Sequence, residues 1–316
     1  MVSKKAIIFG IKGYKLTTKE KSFFKKNNPW GVILFSWNIK SILQLKTLVS
    51  TIKSIFKDKK YPVLIDQEGG KVSRLSKIID FSIFSQESLA NLYNRNKNLF
   101  KIIYKTYINN VCEILNEAGI NINTVPVLDL KVKNAHKIIG NRSFSNSASL
   151  VLNLGKYCQF LYQEKKVATV IKHIPGHGRA KADSHFKTPV VIAKKKDLIN
   201  NDFKPFVNSK SLFAMTSHVI YSSYDSTNTT THSATLIKKV IRKHLNFKGI
   251  LISDDVSMKA LKLKLEDNAI NALKSGCNLV LHCNGNIAEM SRLAKVIPNI
   301  DNFTKKKTSH FYKFLG

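Results

Sequence analysis

A (β/α)₈ barrel in a single domain is the fold class this sequence predicts. Eight short apolar runs are spread along 316 residues, longer helix-like stretches fall between them, and ionisable residues gather where the runs end. The runs occupy 6–10, 31–35, 62–66, 122–128, 168–174, 212–217, 249–253 and 278–282. Each is short, bounded by turn formers and built around a core of apolar residues, as buried strands are. Amphipathic stretches at 42–56, 99–118, 148–164, 234–244 and 287–296 supply helices. A doubly wound sheet would need a glycine-rich fingerprint after its first strand, and Gly10-Ile11-Lys12-Gly13 lacks it. The catalytic domain is expected over 1–300. The remainder, 301–316 with Lys305-Lys306-Lys307, reads as a basic polar tail, partly disordered.

Composition narrows the function. Lys+Arg number 52 against 20 Asp+Glu, a formal charge of +32, which invites a nucleic-acid reading. Only six of these are arginine, and the lysines run along the whole chain without forming a patch, so no nucleic-acid partner is expected. Cys112, Cys158, Cys277 and Cys283 form no CxxC pair and are too few for a disulfide scaffold, which fits a reducing cytoplasm. Cys283, at the end of a run, reads as a small buried hydrophobe. The apolar run after the basic start is only Ala6 to Phe9, too short for a signal peptide, and no stretch could span a bilayer. The expectation is a cytoplasmic monomer.

Barrel enzymes carry their chemistry at the C-terminal ends of the strands, and the scarce carboxylates test that placement. Asp66 ends the third run and Asp129 follows the fourth. Asp183 lies in the loop after the fifth, and Asp254 and Asp255 follow the seventh. The richest stretch is the segment from Lys172 to His185, where three histidines, an arginine, an aspartate and two glycines leave a buried strand. Pro175 and Gly176 exclude a regular helix, so His173 and His177 do not form a helical metal pair with Asp183 or His185 as third ligand, and no metal is expected. Asp183-Ser184-His185 places a carboxylate two residues from an imidazole, an arrangement that orients the ring for acid/base work. Asp254 and Asp255 point to opposite sides of an extended segment; one is a candidate nucleophile and the other caps the next helix. Asp66 reads equally as an acceptor for substrate hydroxyls, a helix cap, or the partner of Arg74. Arg74 and Arg142, in a lysine-dominated chain, are substrate clamps or structural ion pairs.

Taken together these segments resemble glycoside hydrolase family 3, and within it the single-domain β-N-acetylglucosaminidases that act on cell-wall fragments. The resemblance runs through Gly31-Val32-Ile33-Leu34-Phe35, Ile65-Asp66-Gln67-Glu68-Gly69-Gly70, Pro126-Val127-Leu128-Asp129, Ile139-Gly140-Asn141-Arg142-Ser143-Phe144, Lys172-His173-Ile174-Pro175-Gly176-His177-Gly178, Asp183-Ser184-His185, Met215-Thr216-Ser217-His218 and Ser253-Asp254-Asp255-Val256-Ser257-Met258. It implies Asp254 as nucleophile, His185 as general acid/base and Asp183 as its partner. It also implies that Asp66, Arg74, Arg142, Lys172 and His173 hold a terminal N-acetylglucosamine, and that no cofactor is needed. Lys71 stands where an arginine is usual and Asn141 where an aspartate is common. The implied substrate is N-acetylglucosamine linked to a muramic-acid moiety, in peptidoglycan recycling. The rivals are a phosphorylase, because a histidine repels attacking phosphate less than a carboxylate does, and a non-catalytic basic protein binding cell wall or nucleic acid.

Overall fold

The computed structural model describes residues 3–316. Its strands are β1 (Lys5–Gly10), β2 (Pro29–Leu34), β3 (Val63–Ile65), β4 (Ile122–Asn123), β5 (Ala168–Ile174), β6 (Val190–Val191), β7 (Phe213–Thr216), β8 (Ile220–Tyr221), β9 (Ile250–Asp255) and β10 (Leu279–His282). Eight of them close a parallel barrel in the order β1-β10-β9-β7-β5-β4-β3-β2, while β6 and β8 pair as a small separate ribbon. Each of the eight apolar runs contributes one barrel strand. The run at 122–128 is cut short, because Pro126 cannot donate to the ladder and pairing resumes only at Val127 against Lys172.

Helices cover the barrel for the reason the sequence pattern gives. In the helix Ile42–Phe56, Leu45, Leu48, Val49 and Ile52 recur at one-turn spacing and are buried, and the Ser41 hydroxyl caps the first turn by accepting from Gln44 N–H. No described helix is long and apolar enough to cross a membrane.

The stretch from 301 is not a loose tail. Asp301 caps a helix over Asn302–Phe314, accepting from Thr304 N–H at 2.7 Å. Thr304, Thr308 and Phe311 lie on one buried face, and Phe311 packs edge-on to Phe213, with ring centroids 5.4 Å apart. Trp30 Nε1 donates to Thr308 Oγ1 at 2.8 Å, so this helix plugs the end of the barrel where β2 and β7 begin. Lys305 and Lys306, which made the segment look solvated, form its exposed outer face.

Candidate active site

At the opposite end, where the strands finish, a cavity of about 610 Å³ opens. Of the eight residues the resemblance implies for the site, seven border it: Asp66, Arg74, Arg142, Lys172, His173, His185 and Asp254. The eighth, Asp183, is hydrogen-bonded to His185. A second cavity of about 590 Å³ lies near the start of β5 and β7, and no carboxylate or imidazole lines it. The ionisable side chains gather around the first.

The floor is a buried charge network. Asp66 follows β3 and accepts from Arg74 Nη2 and Thr124 Oγ1, each at 2.6 Å, and from the Lys172 ammonium. The Asp66–Arg74 pair and the position beside the cavity therefore coexist. Burial alone would raise the Asp66 pKa, but Lys172 and Arg74 outweigh it and hold the carboxyl well below its usual range. Arg142 grips Glu68 with two parallel bonds of 2.8 Å, from Nε and Nη2, and Lys172 Nζ is 2.6 Å from the same carboxylate. The Glu68 side chain is 2% exposed, and its burial is likewise overcome by Arg142 and Lys172, so it stays ionised. Gly69 explains the tight chain path here: its φ is +90°, and a Cβ would meet Phe84 O at 2.4 Å.

Asp129 organises the second wall. Its carboxylate receives His173 Nδ1–H at 2.6 Å and His177 N–H at 2.6 Å. With Nδ1 engaged, Nε2 is the nitrogen His173 has left for the cavity. Burial would raise the Asp129 pKa, but His173 and His177 bring it below the ordinary value. His177 itself is 3% exposed, and burial, then His173, push its pKa down to about 4, so its ring is neutral at physiological pH. Each ring already bonds a protein partner, His173 to Asp129 and His177 to Ser184. Among the described residues no cluster of three or more His, Cys, Asp or Glu is arranged to hold a metal.

The two groups suited to bond chemistry stand apart from these networks. Asp254 accepts from Asp255 N–H at 2.8 Å through Oδ1, and among the described residues its Oδ2 has no partner. Burial would raise its pKa, but His218, His173 and the Asp255 N–H lower it on balance, keeping an ionised oxygen facing the cavity. Asp255 instead accepts from Ser257 N–H and Oγ, at 3.0 and 2.8 Å; it holds a turn and does not cap the next helix as expected, since that helix, Leu265–Ser275, begins well beyond it without a side-chain cap. His185 donates from Nδ1 to Asp183 Oδ1 at 2.8 Å, because an ionised carboxylate can only accept. Its Nε2 is then free to exchange protons, and its side chain is 56% exposed, open to water and to a leaving group. Asp183 is held below its usual pKa; burial opposes this, and the bonds from His185 prevail. His218 is fully buried, with its ring nitrogens bonded to Thr231 Oγ1 and to the Asp255 carbonyl. The carbonyl requires Nε2–H, and burial first of all lowers the pKa, so His218 is a neutral structural imidazole.

Cys283 departs from its expected place. It is half-buried and borders the cavity, although burial, then Asp255 and Asp254, keep its thiol protonated. Sequence reasoning missed Glu68 and Asp129 as network partners and Thr124 and Trp37 as lining residues. Asp129 carried a signal, being a carboxylate after a strand, but its partners are 44 and 48 positions away.

Residues 2–309 match the family model described as the glycosyl hydrolase family 3 N-terminal domain. A β-hexosaminidase from Photobacterium profundum is 31% identical over 323 aligned residues, covering 98% of this chain and 92% of its own. One from Psychromonas ingrahamii is also 31% identical, over 97% of this chain and 88% of its own. The solved structure of NagZ from Neisseria gonorrhoeae in complex with N-trifluoroacetyl-D-glucosamine superposes with a TM-score of 0.87 at 26% identity, covering 99% of this chain and 90% of that one. The chain belongs to glycosyl hydrolase family 3, as a glycoside hydrolase on a (β/α)₈ barrel whose curated relatives are β-hexosaminidases.

Proposed function

We propose that this protein is a retaining exo-β-N-acetylglucosaminidase that removes terminal N-acetylglucosamine from muramic-acid-containing fragments of peptidoglycan. One observation carries the reading: a cavity that joins an ionised, partner-free oxygen of Asp254 to an imidazole held by Asp183. Asp66, Arg74, Arg142, Lys172 and His173 bind and orient the sugar. Asp254 attacks the anomeric carbon while protonated His185 gives its Nε2 proton to the leaving oxygen. Neutral His185 then takes a proton from water, which attacks the same carbon and releases Asp254. The configuration at that carbon inverts twice and is retained. The relatives' names and the sugar analogue bound by the gonococcal protein support an N-acetylhexosamine in this cavity.

Incubation with N-acetylglucosaminyl-β-1,4-N-acetylmuramic acid tests the reading. Free N-acetylglucosamine should appear, first as the β anomer and at a rate independent of phosphate. Formation of N-acetylglucosamine 1-phosphate only when phosphate is present would identify a phosphorylase instead. No turnover of this or of aryl N-acetylglucosaminides would favour a binding protein.

The arginines give a graded prediction. Arg74 pairs at the cavity edge and is 24% exposed, so Arg74→Lys should leave the thermal midpoint near wild type and lower kcat/KM by about tenfold through loss of the planar fork. Arg142→Lys breaks one of two bonds to buried Glu68, and should lower the thermal midpoint by several degrees as well as kcat/KM. Circular-dichroism melts beside steady-state kinetics check both. A large loss of midpoint in Arg74→Lys with unchanged kcat/KM would make Arg74 a structural ion pair.

A further inference from the structure

His185 rides on an exposed turn, yet an acid/base must be placed within a fraction of an ångström of the glycosidic oxygen, since a misplacement of about 1 Å costs on the order of a hundredfold in rate. Lys181, His185, Phe186 and Lys187 are all exposed, and between Lys181 and Thr188 only Ser184 is buried, at 4% exposure. Its hydroxyl sits 3.2 Å from His177 Nε2, and its carbonyl accepts from Ala260 N–H at 3.1 Å. The other hydrogen bonds of the Asp183–His185 turn stay within the loop: His185 N–H and Nδ1–H, Phe186 N–H and Lys187 N–H all go to Asp183.

His177 is in turn rooted in the barrel. Its N–H donates to Asp129 at 2.6 Å, and Gly178 follows so closely against the chain that a Cβ there would stand 2.2 Å from Leu130 O. Buried and neutral, its ring offers one donor and one acceptor, so the bond to a serine hydroxyl persists through the working pH range.

We propose that His177 and Ser184 form a latch that ties the acid/base loop to the barrel and sets the position of His185. They are positioning residues: Asp129 fixes His177, His177 holds Ser184, and Ser184 places the neighbouring imidazole. The proposal rests on His185 as acid/base, and the test separates the two claims.

Ser184→Ala and His177→Ala, with their double mutant, should be compared on the natural disaccharide, whose leaving group needs a proton, and on a 2,4-dinitrophenyl glycoside, whose leaving group does not. The expected loss in kcat/KM is about thirtyfold to a hundredfold on the disaccharide, the scale set by an ångström of misplacement, and under about threefold on the aryl glycoside. The double mutant should be no worse than the more impaired single, because both remove one bond. Ser184→Ala should melt close to wild type, which keeps the test valid if His177→Ala folds poorly. Equal losses on both substrates, or no loss in Ser184→Ala, would overturn the latch. If His185→Ala discriminates between the substrates and Ser184→Ala does not, the latch alone fails. If His185→Ala does not discriminate, the acid/base assignment fails first.

Discussion

Asp254→Asn is expected to reduce turnover by at least about four orders of magnitude while leaving the fold and sugar binding in place, because under the proposed mechanism it would remove the covalent nucleophile, and with it the step and not the site. The carboxylate is ionised and its Oδ2 is free of protein partners, so nothing in the barrel depends on its charge for packing. An amide keeps the shape and can still accept from Asp255 N–H. Asp255→Asn is the control. Asp255 holds Ser257 at the turn after β9, so its substitution should loosen that turn and cost activity modestly. A dead Asp255→Asn beside an active Asp254→Asn would reverse the assignment.

His185→Ala should show a loss that depends on the leaving group. In the proposed first step the imidazole would protonate the departing oxygen, which a dinitrophenolate does not need. The variant should therefore keep kcat/KM within about tenfold of wild type on the activated substrate and lose about a thousandfold or more on the disaccharide. Turnover of the activated substrate should then be limited by hydrolysis of the glycosyl-enzyme. Azide, a nucleophile that needs no base, should raise kcat and yield the β-glycosyl azide. Asp183→Ala should resemble this more mildly, since it removes only the carboxylate that orients the ring. Equal slowing of both substrates with no azide effect would remove His185 from the role. The proton would then have to come from His173, whose Nε2 reaches the cavity side, and not from His218, whose nitrogens are both bonded in the interior.

Much of this fold is legible in the sequence because parallel strands covered on both faces are written as uninterrupted apolar runs. Ile33 and Leu34 in β2 and residues 279–281 in β10 are such runs, whereas β5, 168–174, stays buried from end to end although it carries Lys172 and His173 to the site. The reading fails where one residue type overrides the pattern. Pro126 ends β4 after two residues inside an apolar stretch, and the triple lysine at 305–307 conceals a helix held by Thr304, Thr308 and Phe311 on its other face. The strands β6 and β8, of two residues each, are too short to carry a period. In the site, the loops announce the ionisable residues but not their pairing. That Glu68 belongs to Arg142, 74 positions away, and Asp129 to His173 follows from barrel closure, which brings successive strand ends around one rim. Arg142 illustrates the limit most clearly. Its rarity marks it as special, yet the reading as a structural ion pair and the reading as a cavity-lining donor describe one side chain.

A covalent sugar trapped at Asp254 would be the most direct sign of the proposed mechanism. A 5-fluoro-N-acetylglucosaminyl fluoride carries a leaving group that departs readily and a ring substituent that slows both steps, so the intermediate should accumulate. Peptide mapping by mass spectrometry should then find one fluorinated N-acetylhexosaminyl group on Asp254, lost again on incubation in buffer as activity returns. A label on Asp255 or on any other residue, or release of the α anomer from the unmodified enzyme's substrate with no label at all, would contradict it.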